Sequence, residues 1–231
     1  MSELTSVIMT CKIRSHTEAH MTMTSIDMIS KFTNKDEYEL IVVDPEPTEA
    51  IRDDYKVLVP FTHLKPSPDP DYASCMNLGA KEAKGKYLVF IQNDVFVSEG
   101  WLPGLRQYLE KGYDVVWPDQ IPRPREFVLE TYKLDPFDEQ ILHGKYTGAR
   151  DAGLIMMTRE IFDKVGGWGE GMSLLAERDI YERLQNINYK AVQTTKVYIA
   201  HIMGATNWLQ HVNDRKGYDV RMDKDAKRLN G

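Results

Sequence analysis

The chain reads as an α/β protein in one domain, with a mostly parallel sheet flanked by helices. Three observations predict this. Short apolar runs at 4–10, 38–43 and 87–91 have the near-continuous hydrophobicity of buried strands. Segments with helical spacing and end signals alternate with them, which demands crossover connections and parallel neighbours. A length of 231 residues favours one domain with enough chain to bury a real core.

Each element follows in order. Leu4–Thr10 is the first strand, and Thr17–Phe32 a helix despite its many Thr and Ser residues. Tyr38–Val43 is the second strand, stopped by Asp44-Pro45-Glu46-Pro47. Lys56–Val59 is a short third strand, and His63–Pro70, with three prolines, a loop. Asp71 caps a helix to Lys84, with Tyr72, Met76, Ala80 and Ala83 on one face and Gly85 ending it. The strand from Tyr87 ends in the polar run Gln92-Asn93-Asp94. Ser98 is the expected N-cap of a helix to Lys111, followed by a strand at Tyr113–Trp117.

Pro118–Arg150 breaks the rhythm and reads as an insertion, a long loop with a short helix. Regularity returns with a strand at Gly153–Thr158, a helix at Arg159–Val165 and the bend Gly166-Gly167-Trp168-Gly169. A helix from about Ala176 to Asn186 and a strand at Ala191–Ala200 follow. From Arg215 onward, six Lys or Arg stand against three Asp. That end is either a solvated, partly ordered tail or a contact for a polyanion.

Composition narrows the function classes. The formal charge of −6 argues against a surface that is basic throughout. No secretory signal opens the chain and no apolar stretch would span a bilayer, so a cytoplasmic protein is expected. Its two cysteines, Cys11 and Cys75, are expected as buried thiols in a reducing compartment. No G-x-G-x-x-G follows the first strand, which disfavours a dinucleotide-dependent oxidoreductase.

The chemistry gathers at Gln92-Asn93-Asp94, because ligands of open α/β sheets sit at the carboxyl ends of strands. A carboxylate there can hold a hard cation, and a cation can hold a diphosphate. The alternative is an Asn-Asp turn with no further role.

Four blocks, in this order, resemble the family-2 type glycosyltransferases of the GT-A fold. They are Ser6–Thr10 with Glu39–Asp44; Asn77–Tyr87 leading to Gln92-Asn93-Asp94-Val95 and Gly100-Trp101-Leu102; Val165–Glu170 with Glu177-Arg178-Asp179-Ile180 and Arg183; and His201 with Gly204-Ala205-Thr206. The resemblance implies a Rossmann-like sheet and a nucleotide-diphospho-sugar donor. It divides residues 1–207 into a donor half to about 117, the insertion, and an acceptor half from about 151, leaving 208–231 as a polar tail.

Residue by residue, the resemblance implies that Thr10, Asp44, Asn77, Gln92, Asn93 and Asp94 contact the donor. Asp44 would bond its base, usually uracil; as a bare residue it could equally cap a turn. The family's arginine beside Asn77 is Met76 here, and the first acid of its metal motif is Gln92. Asp94 and His201 would hold a divalent cation, with Mn²⁺ suited better than Mg²⁺ to a mixed carboxylate and imidazole site. Otherwise His201 is a strand-end histidine bonded to a carbonyl.

Transfer with inversion also needs a general base. Glu177 and Asp179 compete for it; two apart on a helix, they point about 200° from each other, so one alone can face the site. Asp179 has Arg183 at i+4 for an ion pair, which favours Glu177 as the base. Trp168 either stacks on the acceptor or belongs to the core, and Arg150 and Asp151 border the acceptor by position alone. The acceptor is a glycan or, as in phage enzymes, a hydroxymethylated base of DNA. A nucleotide-binding module that has lost catalysis is the rival from another class, with Gln92 and Met76 in its favour.

Overall fold

The computed structural model describes residues 3–11, 13, 15–45, 62–64, 70–121, 139–142, 153–202 and 215–230. These hold strands β1 (Thr5–Thr10), β2 (Tyr38–Val43), β3 (Thr62–Leu64), β4 (Tyr87–Gln92), β5 (Val95–Phe96), β6 (Val115–Ile121), β7 (Glu139–Leu142), β8 (Leu154–Thr158) and β9 (Ala191–His201). The helices are α1 (His16–Lys31), α2 (Tyr72–Glu82), α3 (Trp101–Glu110), α4 (Arg159–Val165), α5 (Ala176–Gln185) and α6 (Arg215–Asn230).

All nine strands join one sheet, in the order β3-β2-β1-β4-β8-β6-β9-β5, with β7 also on β9. Strands β3, β2, β1 and β4 pair in parallel, and β6 with β9 likewise. Strand β8 is antiparallel to both β4 and β6, so those two groups run the same way. The mostly parallel sheet expected from the sequence is therefore present. Its parallel strands bring the carboxyl ends of β1, β2 and β4 together: Thr10 pairs with both Val43 and Gln92.

Alternate residues serve two cores. Val7 and Met9 pack with α1 and α3 on one face, and Ile8 with α2, α4 and α5 on the other. Trp101, Tyr108, Phe90 and Trp168 are the bulkiest buried side chains. Removing one such aromatic costs about 3–5 kcal/mol. Both cysteines are buried free thiols. No helix among the described residues is long and apolar enough to cross a membrane.

Several local expectations are revised. Gly85 does not cap α2; the helix ends on Ala83 in extended backbone. Instead Gly85 lies against β1, where a Cβ would come within 2.6 Å of the Ser6 nitrogen, and its own N–H donates to Ser6 Oγ. Ser98 is not the N-cap of α3. Gly100 holds that place in the left-handed conformation, while the Ser98 hydroxyl donates to the Tyr198 carbonyl.

β3 takes in His63 and Leu64, the start of the expected loop, and adds to the edge of β2, while the expected strand at 56–59 lies outside the described residues. β6 runs on to Ile121 through an irregularity at Pro118/Asp119, and β7 pairs with β9. One strand, β7, and the end of β6 thus come from the stretch expected as an insertion, and both pair with β9. The polar tail is largely the helix α6, tied down by a fully buried Asp225.

Candidate active site

Asp94 occupies the two-residue turn between β4 and β5, and α1 holds that turn from behind. The Asn93 amide donates to Thr22 Oγ1, and the Ser25 hydroxyl donates to the Val95 carbonyl. Thr22 and Ser25 are fully buried. Asn93 thus anchors the turn, although the resemblance placed it on the donor.

β5 pairs antiparallel with the end of β9, Val95 opposite His201, and the Ile202 N–H donates to the Asp94 carbonyl. This pairing brings Asp94 Oδ1 and His201 Nε2 to 3.4 Å. Both residues are buried, and Asp94 Oδ1 has no hydrogen-bond partner among the described residues. Two ligands at ~2.1–2.2 Å from a shared cation stand about 3.0–3.5 Å apart, so the spacing fits one ion.

On the ring's far side, Nδ1 lies 3.3 Å from Gln120 Oε1. With the proton on Nδ1, this contact is a hydrogen bond to the amide oxygen and the Nε2 lone pair is the one available to a cation. Gly153 makes room for the ring: a Cβ there would lie 2.7 Å from His201 Nδ1. No group of three or more His, Cys, Asp or Glu suited to a metal is present among the described residues.

Thr10 and Asp44, at the tips of β1 and β2, are both buried, and the Asp44 N–H donates to the Leu64 carbonyl. Next to Thr10, burial first and then the neighbouring Asp44 push the Cys11 thiol well above its ordinary pKa.

Glu177 lies half-buried in the first turn of α5, where Gln92 Nε2 donates to its Oε1 at 2.8 Å. Asp179 turns elsewhere and accepts from Arg183 Nε at 2.9 Å, the i+4 pair expected. Arg183 Nη1 also donates to the Val165 and Gly167 carbonyls. With Asp179 spent on this clamp, Glu177 is the acid of the two that reaches the strand end.

Asn77 and Trp168 depart from the donor and acceptor roles implied for them. Asn77 accepts from the Trp168 N–H and donates to the Trp168 carbonyl, at 2.9 and 2.8 Å. Trp168 is 2% exposed, edge-on to Tyr72 and Phe90, so no face remains for an acceptor ring. Gly166 and Gly167, at φ 81° and 73°, supply the left-handed turns that bring this bend back to Asn77. Arg150, Asp151 and Gly204–Thr206 lie outside the described residues.

Sequence reading missed Thr22, Ser25, Gln120 and Gly153. Their partners are 48 to 81 residues away, and no local pattern marks them.

The fold is that of a GT-A class protein. The model of Glycosyl transferase family 2 matches residues 6–166, and the chain belongs to that family. Among solved structures, it is similar to the mannosyltransferase PcManGT from Pyrobaculum calidifontis in complex with GDP-Man and Mn²⁺. The TM-score is 0.68 at 16% identity, over 90% of this chain and 60% of that one. It is also similar to GalNAc-T7 with UDP, GalNAc and Mn²⁺, with a TM-score of 0.67 at 14% identity, over 87% of this chain and 44% of that one. The chain thus spans less than two thirds of either relative. No curated protein sequence matches it significantly.

Proposed function

We propose that the chain moves a sugar from a nucleoside-diphosphate sugar, with UDP as the expected carrier, to an acceptor hydroxyl with inversion. The observation that carries this reading is the pairing of Asp94 Oδ1 with His201 Nε2 at 3.4 Å, the carboxylate oxygen lacking a hydrogen bond among the described residues. These two residues would hold a divalent cation, Mn²⁺ by preference, which supplies positive charge to the departing diphosphate.

Thr10 and Asp44, at the tips of β1 and β2, would meet the nucleoside. Glu177 takes the proton of the acceptor hydroxyl as its oxygen bonds the anomeric carbon. The bond from that carbon to the diphosphate breaks, and the nucleoside diphosphate leaves. Support for the donor class comes from the two solved relatives, which were captured with GDP-Man or UDP and with Mn²⁺.

A thermal-shift screen of nucleotide sugars with and without Mn²⁺, followed by assay of nucleoside diphosphate release, tests the proposal. One donor is expected to raise the melting point only when the ion is present, through a stabilisation of about 2.7 kcal/mol at a hundred times its Kd. No ion-dependent shift and no turnover with any donor would sink it.

A further inference from the structure

We infer that Gln92 is a positioning residue that holds the candidate base Glu177, rather than a contact for the donor or its cation. The inference rests on the reading of Glu177 as the base.

The backbone of Gln92 is fixed on two sides: it pairs with Thr10, and its N–H donates to the Gly153 carbonyl at 2.9 Å. From that fixed point its side chain crosses to α5 and donates to Glu177 Oε1, joining residues 85 apart in sequence.

The charged groups of the first turn of α5 are each directed differently. Asp179 is held by Arg183 at the glycine bend, and Arg178 pairs with Glu182 on the solvent side at 2.7 Å. The open N–H groups before the helix do not need Glu177 either. Those of Ser173, Leu174 and Leu175 all donate to Asp225 Oδ2 from α6, at 2.7 to 3.0 Å. Glu177 is therefore released from capping and aimed at the strand end, where Gln92 meets it.

The chemistry explains an amide in this place. A base must reach the reaction as a carboxylate with one oxygen fixed and the other lone pairs turned to the hydroxyl. A second carboxylate at position 92, within hydrogen-bond distance, would force the pair to share a proton. An amide N–H donates instead, fixes the plane of the carboxylate and adds no charge. The same substitution leaves Asp94 as the carboxylate of the turn that serves the cation.

A kinetic cycle of Gln92→Leu, Glu177→Gln and the double variant, with the donor found by the screen and Mn²⁺, tests this. Gln92→Leu is expected to lower kcat roughly 10- to 100-fold with the donor KM within about threefold of wild type. It should lower the residual turnover of Glu177→Gln no further. Gln92→Asn, one methylene too short to reach, should behave as Gln92→Leu and guards against a packing artefact.

Calorimetry of UDP and of GDP, each with Mn²⁺, should give affinities within about threefold of wild type for Gln92→Leu. A tenfold loss of that affinity, a raised donor KM at unchanged kcat, or losses that multiply in the double variant would overturn the inference alone. Wild-type turnover by Glu177→Gln, or no turnover by the wild type itself, would instead remove the reading beneath it.

Discussion

Two buried aspartates, one in the β4–β5 turn and one in α6, show how one side chain serves chemistry or architecture. Asp94 and Asp225 are 3% and 0% exposed, and each has an Oδ1 without a hydrogen-bond partner among the described residues. They differ in what faces them. Asp225 Oδ2 accepts three consecutive backbone N–H groups ahead of α5, the arrangement of an anion nest. Asp94 Oδ1 faces an imidazole nitrogen at 3.4 Å, too long for a good hydrogen bond and right for a shared cation. Burial alone therefore does not separate a structural carboxylate from one kept for a ligand; the partners do.

That contrast is tested first by opposite signatures. Asp94→Asn keeps the shape of the turn and removes the one negative charge of the Asp94–His201 pair. It is expected to cut nucleoside diphosphate release by several kcal/mol of barrier, on the order of a thousandfold. Its melting point should stay within about 2 °C of wild type, since no hydrogen bond to Oδ1 is lost. A melting point that collapses while turnover per folded molecule persists would make Asp94 structural.

Asp225→Ala should do the reverse. It leaves three N–H groups facing a cavity, and charge-assisted bonds are worth about 1.5–3 kcal/mol each, so a loss of about 3 kcal/mol or more is expected. For a chain of this size that lowers the melting point by about 6–12 °C. Calorimetric melting reads it, with Asp225→Asn intermediate because one acceptor oxygen survives. Turnover at low temperature should remain within about threefold, as Asp225 supports α5 without touching the site.

The same comparison shows what the sequence could say. The strands at 38–43 and 154–158, the helix at 159–165 and the pairing of Asp94 with His201 were readable, since each rests on a local pattern or on the family's motif order. Asp225 was not: it sits in a helix polar on all sides, where average composition says only that the end is solvated. Thr22 and Ser25 weaken α1 on local propensity, yet their hydroxyls hold the Asn93 turn from 70 residues away. Asn77 matched a donor motif, and its real partner is the main chain of Trp168, 91 residues on. Propensity and motif spacing see neighbours in sequence; these roles belong to neighbours in space.

Cys11 sharpens the contrast with a smaller effect, as a buried acid that meets no N–H donors. Its thiol donates to the Val43 carbonyl at 3.9 Å, a contact that requires the proton, and burial together with the charge of Asp44 holds that proton on. The folded form thus keeps the proton above the ordinary value of 9.0, while the unfolded chain gives it up there. Stability is therefore unaffected by this group at lower pH and falls as pH rises past that value, by up to about 1.4 kcal/mol per unit. Wild type and Cys11→Ala, unfolded in urea between pH 7 and 10, should diverge in slope only at the alkaline end. Parallel curves would mean that the thiolate is accommodated in place, and that nearness to Asp44 does not penalise it.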